Sequence, residues 1–270
     1  MRFAFAALAL SLACGCPGHG GVERIGPAPS VEDLVKKIAA RRTALQSFTG
    51  QSVMDYWLGK DRLKGSVLVM GKPGAHVRFA AESPAGGDTI AEMACDGQNF
   101  VFIDKQQNCQ LMGPCDAMSI ATFLHVELEP EDFIALALGT PPVVTSPTGT
   151  VTWDPNGGFE RVELVGQNGK QSLVIDDKGG KLDVISSKLT DAGGKLVWGV
   201  ENKDFTEVTD EAGVKHRVPM KTKLVSPTQG ADLEVAWGDR RYNPTLDDPL
   251  FKLDPIAGLA TCGQKPPAKP

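Results

Sequence analysis

Residues 116–142 read DAMSIATFLHVELEPEDFIALALGTPP, and this segment guides the interpretation of the whole chain. Pro130 suits the first position of a helix, and Gly139 followed by Pro141 suits a helix end. The spacing predicts two short apolar helices that either plug a curved sheet as a lid or simply cap a β-core. Their apolar positions are Met118, Ile120, Ala121, Phe123 and Leu124, then Phe133, Ile134, Leu136, Ala137 and Leu138.

The sequence on both sides of these helices is typical of antiparallel strands. Residues 89–95 and 100–104 alternate around Asp96-Gly97, a strong hairpin signal. After the helices, short strands are separated by turns at 155–158, 168–169, 178–180, 192–194 and 211–213. One further amphipathic helix is expected to begin after Ser30. The fold class predicted is mainly β (α+β), with an antiparallel sheet, sandwich or barrel.

The N-terminus has the composition of a secretory signal. Met1 and Arg2 are followed by apolar residues 3–12 and by small residues that end in cysteine. The pattern is similar to a bacterial lipoprotein signal, with cleavage before Cys16 and, as the alternative, Cys14. Simple secretion with release is the other possibility. We expect residues 1–16 to be the signal peptide, 17–30 a flexible tether, 31–262 a single domain and 263–270 a disordered tail.

Cleavage before Cys16 would remove Cys14 and use Cys16 for acylation, which leaves Cys95, Cys109, Cys115 and Cys262 as an even set suited to an oxidising compartment. Cys109 and Cys115 bracket a short loop that a disulfide could close, with Cys95–Cys262 as the long-range bridge. Four cysteines allow three connectivities, so the other pairings stay open.

Motifs for catalysis are not found. The four histidines have no partner at metal-ligand spacing, and the sequence has no nucleophile elbow, phosphate loop or dinucleotide fingerprint. A net charge of −5 without a basic run argues against nucleic acid as a partner. We therefore predict a protein that is not an enzyme and that needs no metal or cofactor.

Four short segments resemble the LolA/LolB family of bacterial lipoprotein carriers, over residues 31–253. They are SPAG at 83–86, ACDG with FVFID at 94–104, LEPEDF through LGTP at 128–141, and DPLFKL at 248–253. The resemblance implies an incomplete antiparallel β-barrel, or half-barrel, closed by short helices around a cavity for acyl chains. Candidate cavity residues are Phe79, Phe102, Phe123, Leu124, Phe133, Leu136, Trp153, Trp198 and Trp237.

The resemblance also implies a protruding, membrane-facing loop formed by Pro84, Ala85 and Gly86. Ala85 departs from the family, whose outer-membrane member has an exposed leucine there. A methyl group buries too little area to anchor a loop in a bilayer, which makes ligand binding more credible than membrane-inserting release.

The function implied is that of an envelope lipoprotein, anchored in the outer membrane and facing the periplasm. It would bind lipid or lipoprotein acyl chains and take part in lipoprotein transport or assembly at the outer membrane. The alternative is an envelope scaffold or stress sensor on the same fold, which binds a protein partner and has a closed, packed core.

Overall fold

The computed structural model describes residues 21–58, 61–83, 86–167, 169–227 and 230–263. The α-helices in these ranges are α1 (Val31–Ala44), α2 (Ala117–Leu124) and α3 (Pro130–Ala137), and short 3-10 helices lie at Lys178–Gly180 and Asp248–Phe251. The strands are β1 (Phe48–Leu58), β2 (Asp61–Lys72), β3 (His76–Glu82), β4 (Thr89–Asp96), β5 (Asn99–Asp104), β6 (Cys109–Pro114), β7 (Thr148–Asp154), β8 (Phe159–Gly166), β9 (Gly169–Asp176), β10 (Asp183–Thr190), β11 (Leu196–Lys203), β12 (Thr206–Thr209), β13 (Lys215–Val218), β14 (Lys221–Ser226), β15 (Ala231–Tyr242) and β16 (Ala260–Thr261).

One large curved sheet contains most of the strands, in the order β16-β6-β5-β4-β3-β2-β1-β15-β14-β11-β10-β9-β8-β7. Neighbours are antiparallel, except that β16 runs parallel to β6. The long strands β1 and β15 join the two sequence halves, and β12 pairs with β13 as a separate hairpin. The predicted mainly β, antiparallel fold with short helices is confirmed at this level.

Turn chemistry explains why consecutive strands pair. Between β4 and β5, the Asp96 carboxylate accepts hydrogen bonds from the backbone N–H groups of Asn99 (2.8 Å) and Gln98 (3.1 Å). These bonds, led by the one from Asn99, lower the pKa of the Asp96 carboxyl. Gly97 adopts a φ of +93°, which side-chain-bearing residues rarely do. The predicted Asp-Gly hairpin is therefore present.

Helix α1 covers the concave face of the sheet near its β7 edge. Ser30 caps it, since its hydroxyl accepts a hydrogen bond from the N–H of Asp33 (3.0 Å). Leu34 and Ile38, one helical turn apart, are buried against apolar side chains of β8, β9 and β10. The helix predicted to follow Ser30 is confirmed.

Helices α2 and α3 pack on the β1–β6 half of the sheet. Helix α2 contacts β5, and α3 contacts β2 and β3. Pro130 is the first residue of α3, and Gly139 follows its end with a φ of +81°. On β2, Gly71 lets the helix approach the strand closely, because a Cβ there would lie 2.7 Å from Cγ1 of Ile134. The two helices are thus packed directly on the sheet.

The Glu131 side chain ties α3 to the turn between β2 and β3. Its Oε1 accepts hydrogen bonds from the backbone N–H groups of Gly74 (2.6 Å) and Ala75 (2.8 Å). We expect Glu131→Ala to lower the free energy of unfolding by roughly 1–2 kcal/mol, because two hydrogen bonds to a charged group are lost. Denaturant unfolding measures this change.

Glu129→Ala is the matched control for that substitution. It removes the same charge two residues earlier, from an exposed side chain that makes no capping hydrogen bond to α3. Equal losses in the two variants would show that charge near the helix N-terminus, rather than the contact with the turn, accounts for the effect.

Candidate functional site

A cavity of about 490 Å³ lies between α2 and the concave face of the β1–β6 half of the sheet. This volume is within the roughly 300–1,000 Å³ that small-molecule sites occupy. Residues from the six neighbouring strands β1–β6 and from helix α2 surround it. The lining comprises Met54, Leu63, Lys64, Gly65, Val67, Ala81, Glu82, Ile90, Ala91, Phe102, Asp104, Gln106, Gln107, Leu111, Thr122, Phe123, Leu124, His125 and Cys262.

The wall of the cavity is apolar and incompletely covered. Ala81, Phe102, Leu111 and Phe123 pack against the main hydrophobic core, yet each remains only partly buried. Behind them, the core itself is closed: Phe79, for example, is 0% exposed. When an apolar ligand covers apolar surface in an open cavity, that surface is removed from water and the complex is stabilised.

An aromatic cluster of Phe79, Phe102, Phe123 and Phe133 connects both helices to the sheet. The rings of Phe79 and Phe123 are stacked, with centroids 4.9 Å apart, and Phe133 meets Phe79 edge-on at the same distance. Phe102 approaches Phe123 edge-on at 6.3 Å. The cluster therefore runs from the cavity wall into the core, with Phe123 of α2 in the middle.

The structure contains two disulfides, one of which reaches the cavity through Cys262, and their pairing corrects the one favoured from sequence. Cys95 bonds to Cys115, and Cys109 bonds to Cys262. Cys109 begins β6, an extended strand whose last residue, Pro114, directly precedes Cys115. At about 3.3 Å per residue these two cysteines are roughly 20 Å apart, beyond the ~7 Å limit for a bridge.

The Cys95–Cys115 disulfide fixes the beginning of α2. The next residue, Asp116, is the N-cap, and its carboxylate accepts hydrogen bonds from the N–H groups of Met118 (2.9 Å) and Ser119 (3.2 Å). The helix that covers the cavity is thus attached covalently to β4 and capped at the same point.

The rim of the cavity is polar. His125 directly follows α2 as its C-cap, has a φ of +56° and lines the cavity. Burial lowers the pKa of the His125 imidazole below its usual value of 6.5, so the ring is predominantly neutral at pH 7. Other polar rim residues are Lys64, Glu82, Asp104, Gln106 and Gln107. An amphiphile could place its tail inside and its head at this rim.

Some of the predicted lining residues surround the cavity, and others do not. Phe102, Phe123 and Leu124 line it. Five others belong to the packed core behind it: Phe79, Phe133, Leu136, Trp198 and Trp237. The prediction concentrated on aromatic residues and missed the smaller inward-facing ones. Strand alternation is the signal that could have found Met54, Leu63, Val67, Ala81, Ala91 and Leu111, whereas Ile90 lies at a register shift that breaks the alternation.

Trp153 lies elsewhere, because its strand β7 is the edge of the sheet farthest in strand order from β6. Its indole N–H donates to the carbonyl of Val22 (2.8 Å), and the N–H of Val22 donates to the carbonyl of Pro155 (2.7 Å). Arg24 pairs with Glu160 through two hydrogen bonds of 2.8 and 2.9 Å. Residues 22–24 are therefore held along β7 and β8.

Several predicted features lie outside the described residues. These are Cys14, Cys16 and the rest of residues 1–20, Pro84 and Ala85 of the loop, and residues 264–270. Gly86, the remaining loop residue, is exposed, and its N–H donates to the carbonyl of Ser83 (2.9 Å). Within the part of the chain that the structure describes, no helix has the length and apolarity to span a bilayer, and no group of side chains is arranged to hold a metal ion.

The open sheet, the helices on its concave face and the apolar cavity between them define a LolA/LolB-like fold. A LolA superfamily protein from Nitrosomonas europaea has a TM-score of 0.54 at 11% identity, with 84% of this chain and 99% of that chain covered. A putative outer membrane lipoprotein-sorting protein domain from Vibrio parahaemolyticus has a TM-score of 0.55 at 12% identity, with 82% and 95% covered.

A DUF1329 family protein from Desulfovibrio piger has a TM-score of 0.54 at 13% identity, with 83% of this chain and 97% of that chain covered. No protein-family model and no curated protein matches the sequence. At these identities the likeness concerns the fold, and at that level the predicted resemblance is confirmed. None of the three solved proteins is described as an enzyme.

Proposed function

We propose that this protein is a membrane-anchored lipoprotein of the bacterial envelope that binds the acyl chains of a lipid or lipoprotein. Residues 31–262 form the binding domain, and the curved sheet acts as a half-barrel that α2 and α3 close. The protein takes part in lipoprotein transport to, or assembly at, the outer membrane and faces the periplasm. It carries no cofactor and performs no catalysis.

The observation that supports this proposal is the partly buried apolar wall of the cavity. Three side chains of this wall pack against the core on one side and face the cavity on the other: Phe102, Leu111 and Phe123. An acyl chain in that space needs no directional bonds, and each buried methylene contributes about 0.8 kcal/mol. The LolA-like fold of the chain is consistent with such a ligand.

The anchor is proposed at Cys16, with Cys14 as the alternative. Val22 is hydrogen-bonded to Pro155 and Trp153, so residues 17–21 of the proposed tether separate Cys16 from the first residue that is hydrogen-bonded to the β7–β8 region. Five residues and their flanking bonds span at most roughly 20 Å when extended. The β7 edge of the sheet would consequently lie close to the membrane.

Leu111→Asp is expected to abolish acyl-chain binding, because its side chain points into the cavity and an unpaired carboxylate there is strongly disfavoured. The chain from Pro17 onward is expressed in a periplasm and purified without detergent. Native mass spectrometry then detects a lipid-range ligand in the parent protein. Titration with a fluorescent fatty acid measures the remaining affinity in the variant.

Met112→Asp is the matched control, since Met112 is the next residue of β6 and points to the opposite, solvent-facing side (58% exposed). It should keep the ligand. A parent protein that carries no ligand and also refuses added fatty acid would overturn the proposal. That outcome would leave an envelope scaffold or stress sensor that binds a protein partner.

A further inference from the structure

We propose that the cavity holds one acyl chain of about sixteen carbons, so that only one chain of a bound lipid or lipoprotein is buried in it. This inference rests on the proposed function and narrows it. A methylene group takes up about as much room as a water molecule, whose share of liquid volume is roughly 30 Å³. The cavity of about 490 Å³ therefore has room for about sixteen methylenes. A ligand with two or three such chains needs two or three times that volume.

Helix α2 cannot move away from the sheet without breaking several contacts. Its N-terminus is attached to β4 by the Cys95–Cys115 disulfide. Its Phe123 ring is stacked on Phe79 of β3, and its last residue, Leu124, is 1% exposed. Enlarging the cavity on this side would uncover these side chains and would strain a covalent link.

Helix α3 is fixed on three sides. Glu131 binds the turn between β2 and β3, and Asp132 pairs with Arg42 of α1 at 3.3 Å. At the other end, Arg240 of β15 donates a hydrogen bond to the carbonyl of Ala137 (2.7 Å). Because these contacts hold both helices on the sheet, we expect the cavity to keep about this volume when a ligand binds.

A substitution at Gly65 of β2 can change the longest acyl chain that the cavity accommodates. It lines the cavity, and a Cβ placed on it would meet no atom within 4 Å. Its φ lies outside the left-handed region, so a side chain is compatible with the backbone. Ser66, the next residue, is exposed and points away from the cavity.

The test is a titration of the chain from Pro17 onward with saturated fatty acids and lysophosphatidylcholines of roughly eight to twenty carbons. Affinity is expected to rise about fourfold per added methylene and to level off near sixteen carbons. Native mass spectrometry is expected to find one ligand per protein. The same limit in both series shows that the chain, and not the head group, sets it.

Gly65→Leu adds four carbons inside the cavity and is expected to move the limit to about twelve carbons. Ala91→Leu, from β4, is a second filling variant in case the first folds poorly, and Ser66→Leu is the control that should leave the limit unchanged. Affinity that keeps rising beyond about sixteen carbons, or several chains bound at once, would overturn the single-chain inference while acyl binding stands. If no acyl chain of any length binds, the proposed acyl-binding function is contradicted as well.

Discussion

Replacing Cys95 and Cys115 by serine is expected to lower the free energy of unfolding by roughly 3 kcal/mol. The estimate follows from the entropy that the unfolded chain regains when a closed loop of this length is opened. The sequence separation of the two cysteines is 20 residues. The same change releases the beginning of α2 from β4, so we also expect faster amide hydrogen exchange in α2 and weaker acyl-chain binding. Guanidinium unfolding and hydrogen exchange measure the two effects.

The second disulfide, Cys109–Cys262, is the control for the effect on α2. It closes a loop of 153 residues, and chain entropy alone would assign it roughly 5 kcal/mol. Few other contacts hold the segment after Phe251, among them the two-residue strand β16 and a pair of hydrogen bonds between Gln110 and Ile256. Without the disulfide this segment would also fray in the folded protein. The loss in free energy of unfolding should therefore be smaller than chain entropy alone assigns.

The two double variants are therefore expected to differ in which backbone amides lose their protection against hydrogen exchange. Cys109→Ser with Cys262→Ser should loosen the C-terminal segment and leave the amides of α2 protected. Cys95→Ser with Cys115→Ser should expose the amides of α2 first. If α2 stays as protected as β1 in that variant, the disulfide does not hold the helix on the sheet, and the argument for a fixed cavity volume fails with it.

Local signals in the sequence are sufficient to predict most of the helices and strands. The Asp96-Gly97 turn, the proline at the start of α3 and the capping serine of α1 each act within a few residues of themselves. Hydrogen bonds and backbone angles at such positions depend little on the rest of the chain. The strands and helices adjacent to them were therefore predicted close to their observed bounds.

Long-range partners were not predictable in the same way. Alternation along β1 shows that Met54 and Val53 face opposite sides. It does not show that β15, which begins at Ala231, pairs with β1. The cysteine pairing failed for a related reason. A loop was assumed between Cys109 and Cys115, whereas the chain there forms an extended strand.

Of the residues predicted for the candidate site, only Phe102, Phe123 and Leu124 line the cavity. The smaller residues Gly65, Ala81 and Ala91 provide its space. A cavity arises where side chains are too small to fill the volume beneath a helix, and that volume depends on how α2 crosses the sheet. Sequence spacing on a single strand does not contain this information.

Phe79→Ala is expected to lower the free energy of unfolding by roughly 3–5 kcal/mol, the range for removing a fully buried phenylalanine ring. Phe79 is 0% exposed and contacts Phe123 of α2 and Phe133 of α3 with centroid distances of 4.9 Å. One ring thus supports both helices from β3, and its removal leaves a hole that the surrounding backbone cannot close. Guanidinium unfolding of the parent and the variant measures the loss.

Phe102→Ala is the matched comparison, because the same ring is removed from the same aromatic cluster at the cavity wall. Phe102 is only partly buried, and its ring meets that of Phe123 edge-on with centroids 6.3 Å apart. Its loss should therefore destabilise the protein much less. It should nevertheless weaken acyl-chain binding more than it weakens folding, since its exposed part is what a ligand covers. If both variants lost the same stability and neither lost affinity, Phe102 would be ordinary core and the cavity would not be a binding site.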